Sequence, residues 1–177
     1  MTAWTGAVVE AWSVVGMAAL GATALVLVLL RHVRRRYVVV VVDGESMAPA
    51  YAPGDRVLVR RESRAPARGD VVVVRKPDVT YGWPAAPDGP GPGAPSGRRW
   101  LLKRVAATGG DPWPDVVGQA ARGSGGETVP SGHVVLLSDN PRGSDSRRWG
   151  PCPEHQVLGR VARRMSYRWA SRPAQSR

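Results

Sequence analysis

The hydrophobic pattern of the chain begins with one long uncharged stretch. Residues 11–30 contain no charged side chain, and a helix of that length spans about 30 Å, the thickness of the hydrocarbon core of a bilayer. Arg31 and the arginines at 34–36 follow at once. A cleaved signal peptide normally has its basic residues before the apolar stretch, and a core helix of a small soluble domain is rarely apolar all round. The pattern therefore predicts one transmembrane helix, in an N-terminal membrane anchor over residues 1–36.

After residue 36 the pattern changes to short apolar runs separated by turn residues. The runs are rich in valine and other β-branched residues, and turn pairs such as Gly69-Asp70 separate them. Six strands are expected, at residues 37–42, 56–61, 71–74, 100–106, 133–138 and 156–162. No later segment has a long 3.6-residue period. The pattern predicts a mostly β fold, a small antiparallel and barrel-like sheet over residues 37–165.

Two stretches interrupt this domain. Residues 77–98 and residues 112–131 are rich in glycine and proline, which indicates surface loops or small flaps rather than core. The end of the chain, residues 166–177, contains three arginines and no acidic residue. We expect it to form a basic tail.

Composition limits the kind of chemistry that the chain can perform. Its formal charge of +11 favours anionic surfaces, either nucleic acid or acidic lipid, although a solvated arginine-rich surface accounts for the charge equally well. Cys152, the single cysteine, excludes an intramolecular disulfide and is expected to be an inert surface or packing residue. His32, His133 and His155 are scattered and suggest neither a zinc site nor a Ser-His-Asp triad. We expect no metal, no cofactor and no nucleic-acid partner.

The lysines are the first candidates for catalysis. Lys76 and Lys103 are the only lysines among 25 basic residues, so the chain usually obtains fixed positive charge from arginine. Lys103 lies between Leu101 and Val105 on one face of an expected strand. Burial there would lower the pKa of its amine, and a neutral lysine, unlike an arginine, can act as a general base.

Ser46 is the best candidate for a nucleophile that this base would activate. It follows an expected strand on a turn that Gly44 makes possible, and Pro49 and Pro53 suppress regular structure after it. A serine hydroxyl becomes an effective nucleophile when a base removes its proton during attack. The alternative is an ordinary turn serine, with Lys103 extending from an edge strand into solvent.

Several short blocks, taken together and in order, resemble the type I signal peptidases. They are residues 44–49, 53–59, 69–74, 102–105, 110–111 and 138–151. A hydrophobic segment ahead of the serine block also fits that family. The resemblance implies a β-rich peptidase with Ser46 as nucleophile and Lys103 as general base.

The resemblance also implies roles for residues around this pair. The Ser46 N–H would form part of an oxyanion hole. Gly44 stands where some relatives have a hydroxyl donor, so only a backbone group could help there. Met47 would pack beside the nucleophile and line the apolar substrate-binding surface. Asp145 and Arg147 would form an ion pair that braces the site.

The chain departs from the family pattern in three places. The segment between Asn140 and Asp145 is one residue shorter, so Ser144 is the candidate for the family serine that orients the lysine. Asp139 and Asn140 belong to the block that resembles the family, and the alternative is that they only cap a turn. Residues 108–111 lack the proline that the family usually has before Gly-Asp, which would loosen that turn. The region between the Lys103 block and the Asp139 block is short, so any second β domain must be rudimentary.

The leading hypothesis is a membrane-bound serine endopeptidase that removes N-terminal signal or leader peptides. Its partners would be a precursor protein and the lipid bilayer. The resemblance places the catalytic domain outside the cytoplasm, whereas arginines directly after the helix favour the cytoplasmic side by the positive-inside rule. The alternatives are a maturation protease of the same superfamily dedicated to one precursor, and a non-catalytic, membrane-anchored basic binding protein.

Overall fold

The computed structural model describes residues 3–61, 65–78, 83, 100–123 and 126–165, without the side chains of residues 3–15 and 18. The chain divides into two compact units, Met1–Arg36 and Tyr37–Arg177. The predicted basic tail at 166–177 and all but three residues of the predicted loop at 77–98 lie outside the described residues.

The first unit consists of helix α1, Ala3–Arg36. The helix contains the whole uncharged stretch at 11–30. Arg34, Arg35 and Arg36 lie in its last turn, where positive charge interacts favourably with the helix dipole. Within the described part of the chain, no helix is both long and apolar enough to cross a membrane.

The second unit contains a seven-stranded sheet in which every pair of neighbours is antiparallel. The strands are β1 (Tyr37–Val41), β2 (Arg56–Arg60), β3 (Val71–Arg75), β4 (Trp100–Thr108), β5 (His133–Leu137), β6 (Cys152–Pro153) and β7 (Val157–Met165). They lie in the order β1-β2-β7-β3-β4-β5-β6. The prediction of a mostly β, antiparallel fold is confirmed. The short helices α2 (Gln119–Arg122) and α3 (Ser146–Trp149) and the 3₁₀ turn Glu154–Gln156 complete the unit.

The core is built on both faces of the central strands. All four valines of β3 at 71–74 are buried, because β3 has a sheet neighbour on each side and packed side chains on each face. Along β4, Leu102 packs in one cluster of buried residues and Val105 in another. Lys103, between them in sequence, is also buried, with 1% of its surface exposed. Strand β4 thus carries a lysine into the apolar interior.

Strand β6 was not predicted, because two residues that include a proline carry no readable pattern. Its Cys152 is fully buried in the cluster that contains Val105. Burial raises the pKa of the Cys152 thiol well above its usual range, so the thiol stays protonated. Of the two expectations for Cys152, the packing residue is the one that the structure shows.

The predicted loop at 112–131 forms a packed flap. Trp113, Val117 and Val129 are buried against Ala107 of β4 and Val135 of β5. The turn that leads into the flap is closed despite its missing proline, because Asp111 Oδ2 accepts hydrogen bonds from the Thr108 amide at 2.8 Å and from the Thr108 hydroxyl at 2.9 Å.

Candidate active site

Ser46 lies on a turn whose ends are closed by backbone hydrogen bonds. The Val42 amide donates to the Asp55 carbonyl at 2.8 Å, and the Gly54 amide donates to the Val42 carbonyl at 2.9 Å. Gly44 has a φ of +92°, which L-residues rarely adopt. The predicted dependence of this turn on glycine is therefore met, and the half-buried Ser46 follows two residues later.

Met47 supports this turn from the interior. Its side chain is fully buried in the cluster that contains Val38 and Val40 of β1. The structure thus places Met47 in the core rather than on the substrate-binding surface where we expected it.

Arg164 of β7 holds the same turn from outside. Its Nη1 donates to the Ala50 carbonyl at 2.9 Å, and its Nη2 lies 2.7 Å from Asp55 Oδ2. The guanidinium carbon lies 6.0 Å from the centre of the Tyr51 ring, a distance at which a cation attracts an aromatic face. The sequence pattern did not indicate Arg164, because its partners are more than one hundred residues away in the chain.

The surroundings of Lys103 lower the pKa of its amine. Nζ donates a hydrogen bond of 2.9 Å to Ser138 Oγ and lies 5.8 Å from the centre of the Trp149 ring. Burial lowers the pKa of Lys103 to about 8; Asp145 and Asp139 oppose that shift, and Arg147 adds to it. At pH 7 roughly a tenth of such a lysine is neutral, compared with roughly one in three thousand for a free lysine.

Asp145 and Arg147 form the expected ion pair, with Nη2 and Oδ2 2.7 Å apart. Asp145 is fully buried, and it also accepts hydrogen bonds from the Ser138 amide at 2.8 Å and from the Arg147 amide at 3.1 Å. Burial alone would raise the pKa of Asp145, but the hydrogen bonds and the charge of Arg147 outweigh burial and hold that pKa below its usual range. Asp145 is therefore a fixed anion that joins β5 to α3.

The segment 138–140 connects the lysine to the serine turn. Ser138 accepts the hydrogen bond from Lys103, while the Asn140 amide donates to the Ser46 carbonyl at 3.0 Å. Nδ2 of Asn140 donates to the Glu45 carbonyl at 3.1 Å. Ser46 and Lys103 are thus each one hydrogen bond away from the same three-residue segment.

Asn140 both caps a turn and contacts the serine turn, whereas Asp139 pairs with Arg104. Asp139 forms a bidentate ion pair with Arg104, in which Nε donates to Oδ1 at 2.8 Å and Nη2 donates to Oδ2 at 2.7 Å. Asn140 Oδ1 accepts from the Arg142 amide at 3.0 Å, which caps the turn. Asn140 therefore caps its own turn and also holds the serine turn.

Ser144 does not make the contact that we expected of it. Its hydroxyl lies 3.5 Å from Arg148 Nη1, and the lysine is instead bonded to Ser138. The shortened segment after Asn140 explains the difference, since it leaves Ser144 next to Asp145 at the start of α3. Pairing of β5 with β4, with Leu137 opposite Arg104, is what brings Ser138 to the lysine.

A groove runs past Ser46. Besides Ser46, its lining consists of Val40 and Val41 of β1, Val42 and Asp43 just after that strand, Val73 of β3, and Trp100, Leu101 and Leu102, the β4 residues just before Lys103. Strand β1 lies at one end of the sheet order. An end strand of a sheet can pair with an extended peptide.

Comparisons with known proteins show what the chain is similar to. The chain is 33% identical over 125 residues to the Mitochondrial ATP-independent inner membrane protease subunit 1b of Arabidopsis thaliana, an alignment that covers 67% of this chain and 63% of that protein. It is 27% identical over 140 residues to Thylakoidal processing peptidase 1, chloroplastic, of the same plant, with 67% of this chain and 39% of the relative covered. The alignments thus span less than two thirds of either relative. Residues 11–112 and 116–167 match the family described as "Signal peptidase, peptidase S26", and the chain belongs to that family.

Proposed function

We propose that the chain is a serine endopeptidase with Ser46 as nucleophile and Lys103 as general base. The observation that carries the proposal is the environment of Lys103: the amine is buried, its pKa is lowered to about 8, and it bonds to the segment that holds the serine turn. An arginine-rich chain that keeps a buried lysine, hydrogen-bonded to the segment that also holds the serine turn, has the two groups that acyl transfer requires.

The reaction begins with a peptide carbonyl in the groove next to Ser46. Ser46 Oγ forms a bond to the carbonyl carbon while neutral Lys103 takes the hydroxyl proton. The tetrahedral intermediate then breaks its carbon–nitrogen bond, and the leaving amine takes the proton from Lys103. Water attacks the resulting ester while Lys103 accepts a proton from that water. The second tetrahedral intermediate then breaks its carbon–oxygen bond to Ser46, and Ser46 Oγ takes that proton from Lys103 as it leaves. General-base help of this kind contributes about 10²–10⁴-fold.

The oxyanion of each intermediate needs a hydrogen-bond donor. The Ser46 N–H has no hydrogen-bond partner among the described residues, so we assign it as one donor. Gly44 has no side chain, and any help from that position comes from its backbone. Removal of one such donor typically costs about 10²–10³-fold in rate.

We propose precursor proteins with N-terminal signal or leader peptides as substrates. Family membership supports this, and the two relatives are named a protease subunit and a processing peptidase. The valine and leucine lining of the groove suits a short extended apolar segment. A dedicated maturation protease for one precursor is the second candidate, and a single cleaved substrate in a broad panel would favour it.

We further propose that residues 11–30 anchor the protein in a membrane. This rests on the uncharged sequence and on the word "membrane" in the name of one relative. With the catalytic unit outside the cytoplasm, the arginines at 34–36 could each contribute about 1 kcal/mol at an anionic surface. Protease added to intact spheroplasts should then degrade the unit, and degradation that requires lysis would place it in the cytoplasm.

The test of the function is cleavage of a precursor by the purified full chain in detergent. The wild type should cut at one site after small residues, as mapped by mass spectrometry. Ser46→Ala should be inactive, while Ser131→Ala, at an exposed serine, should match the wild type. Cleavage by Ser46→Ala at the wild-type rate would refute the assignment of the nucleophile. A wild type that binds precursors and cleaves none would support a non-catalytic binding protein.

A further inference from the structure

We propose that Ser138 is the residue that positions the Lys103 amine for catalysis. The proposal rests on the proposed function, because it concerns the geometry of the same base. It assigns to the end of β5 a role that we had expected of Ser144, in the shortened segment. Ser138 acts through Lys103 and is therefore a positioning residue.

The hydroxyl of Ser138 is held in place from several directions. It accepts the Lys103 hydrogen bond at 2.9 Å, and it lies 3.5 Å from the Ser144 carbonyl. The Ser138 amide donates to the buried Asp145 at 2.8 Å. Pairing of β5 with β4 fixes the residue just before it. Ser138 Oγ is thus a fixed point against which a flexible four-carbon side chain is oriented.

A hydroxyl suits both protonation states of the lysine. It can accept a hydrogen bond from the ammonium, and it can rotate its own proton toward the lone pair of the neutral amine. The Ser144 carbonyl is within reach of that proton when the lysine is charged. The contact with Lys103 therefore persists while the base takes up and releases its proton.

Gly143 makes room for this arrangement. A β-carbon at position 143 would lie 2.6 Å from Ser138 Cβ and 3.1 Å from the Asn140 carbonyl, closer than side chains normally approach. The shortened segment can fold against Ser138 only because a glycine lies there. The shortened segment between Asn140 and Asp145 and the contact of Ser138 with Lys103 thus belong to one local structure.

The Ser138→Ala variant distinguishes a role of the Ser138 hydroxyl in positioning the Lys103 amine from a role in folding. The bond to Asp145 uses the backbone amide, which alanine keeps. We expect kcat of Ser138→Ala to fall at least about tenfold, since small misplacement of a catalytic group has large effects, while KM stays near the wild-type value. Ser131→Ala, an exposed serine, is the matched control. Wild-type kcat in Ser138→Ala, with a loss in Ser144→Ala, would overturn the proposal.

The pKa of Lys103 supplies a readout that needs no substrate. With only two lysines in the chain, Lys76→Arg leaves Lys103 as the single lysine signal in an NMR titration. Ser138→Ala removes an acceptor of the ammonium and keeps the surrounding Asp139, Asp145, Arg147 and Trp149. The Lys103 pKa should therefore fall below its value in the Lys76→Arg parent.

The two readouts together decide the proposal. A lower pKa with a kcat that falls by more than the weaker basicity of the amine accounts for means that more of the base is neutral and yet works less well, which indicates misplacement. A pKa that rises toward that of free lysine would show that water has entered, and would overturn positioning in favour of a structural role. If the wild type cleaves no precursor, the proposed function fails. The titration still shows whether Ser138 holds the amine.

Discussion

The backbone N–H of Asn140 donates a hydrogen bond of 3.0 Å to the carbonyl oxygen of Ser46. Two residues earlier, Ser138 accepts the hydrogen bond from Lys103. Because both contacts belong to one short segment after β5, a shift of that segment would move the supports of the proposed nucleophile and of the proposed base together. The segment 138–140 therefore sets the relative position of two groups that lie 57 residues apart in the sequence.

Lys103→Arg should reduce kcat/KM by about 10²–10⁴-fold, the usual loss when a general base is removed. Arginine keeps the positive charge but cannot release its proton at the pH of the assay. Lys76→Arg makes the same chemical change at an exposed lysine and should leave the rate unchanged. An arginine variant at 103 that retains more than about a tenth of the activity would exclude Lys103 as the base.

The activity should rise with pH through an apparent pKa near that of Lys103. Burial lowers this pKa to about 8, and the working form of a general base is the deprotonated one. The kcat/KM of the wild type should therefore increase as the pH passes through that value and level off above it. A flat profile from roughly pH 6 to pH 10, with chemistry rate-limiting, would contradict the assignment.

Asp145→Asn should destabilise the fold and move the Lys103 pKa downward. The substitution leaves the charge of Arg147 without its partner, and loss of one partner of a buried, hydrogen-bonded group costs about 1–3 kcal/mol. Asp145 also opposes the lowering of the Lys103 pKa, so its neutralisation should lower that pKa further. Urea unfolding and the lysine titration measure the two effects, and Asp115→Asn, at an exposed aspartate, is the control.

The pH dependence of the free energy of unfolding tests whether Asp145 is held as an anion in the folded state. The folded pKa of Asp145 is below its usual range, so its contribution is complete above the pKa of an unfolded aspartate and is lost as the pH falls through the folded value. The wild type should lose stability over that acidic range by more than Asp145→Asn does. Equal acid dependence of the two proteins would show that Asp145 is not held as an anion.

Arg164→Ala should loosen the serine turn. It removes the bond to the Ala50 carbonyl and the ion pair with Asp55, which together are worth about 0.5–1.5 kcal/mol. We expect a lower melting temperature and a lower kcat. Arg163→Ala is the matched control, because Arg163 is an exposed neighbour in β7. Equal effects of the two substitutions would mean that Arg164 has no particular role in holding the turn.

The strands were predictable because valine-rich runs and turn residues specify them locally. All six expected strands are present, with ends that differ by a few residues. The pair Ser46 and Lys103 was also recognisable, since a lone lysine in an apolar run is unusual in a chain that otherwise uses arginine. Local sequence could not reveal β6, which has only two residues.

The residues around the pair were harder to predict because strand pairing creates their contacts. Ser138 meets a lysine 35 residues away, and Arg164 meets Ala50 at a separation of 114 residues. No local pattern encodes either contact. Met47 was expected on the substrate-binding surface, but its side chain is buried in the core cluster. The sequence thus indicates the proposed catalytic pair, and the sheet order decides which groups hold it.

Gly143→Ala should disturb the lysine without changing any group that contacts it. The new methyl would lie 2.6 Å from Ser138 Cβ and 3.1 Å from the Asn140 carbonyl, so Ser138 must move away from its present position. We expect kcat to fall by at least about tenfold. Gly118→Ala is the matched control, since a β-carbon there meets nothing within 4 Å. If Ser138 acts only through its position, adding Gly143→Ala to Ser138→Ala should lower kcat by much less than it does in the wild type. If the fold-reduction in kcat of the double variant equals the product of the two single fold-reductions, Gly143 acts on the site independently of Ser138.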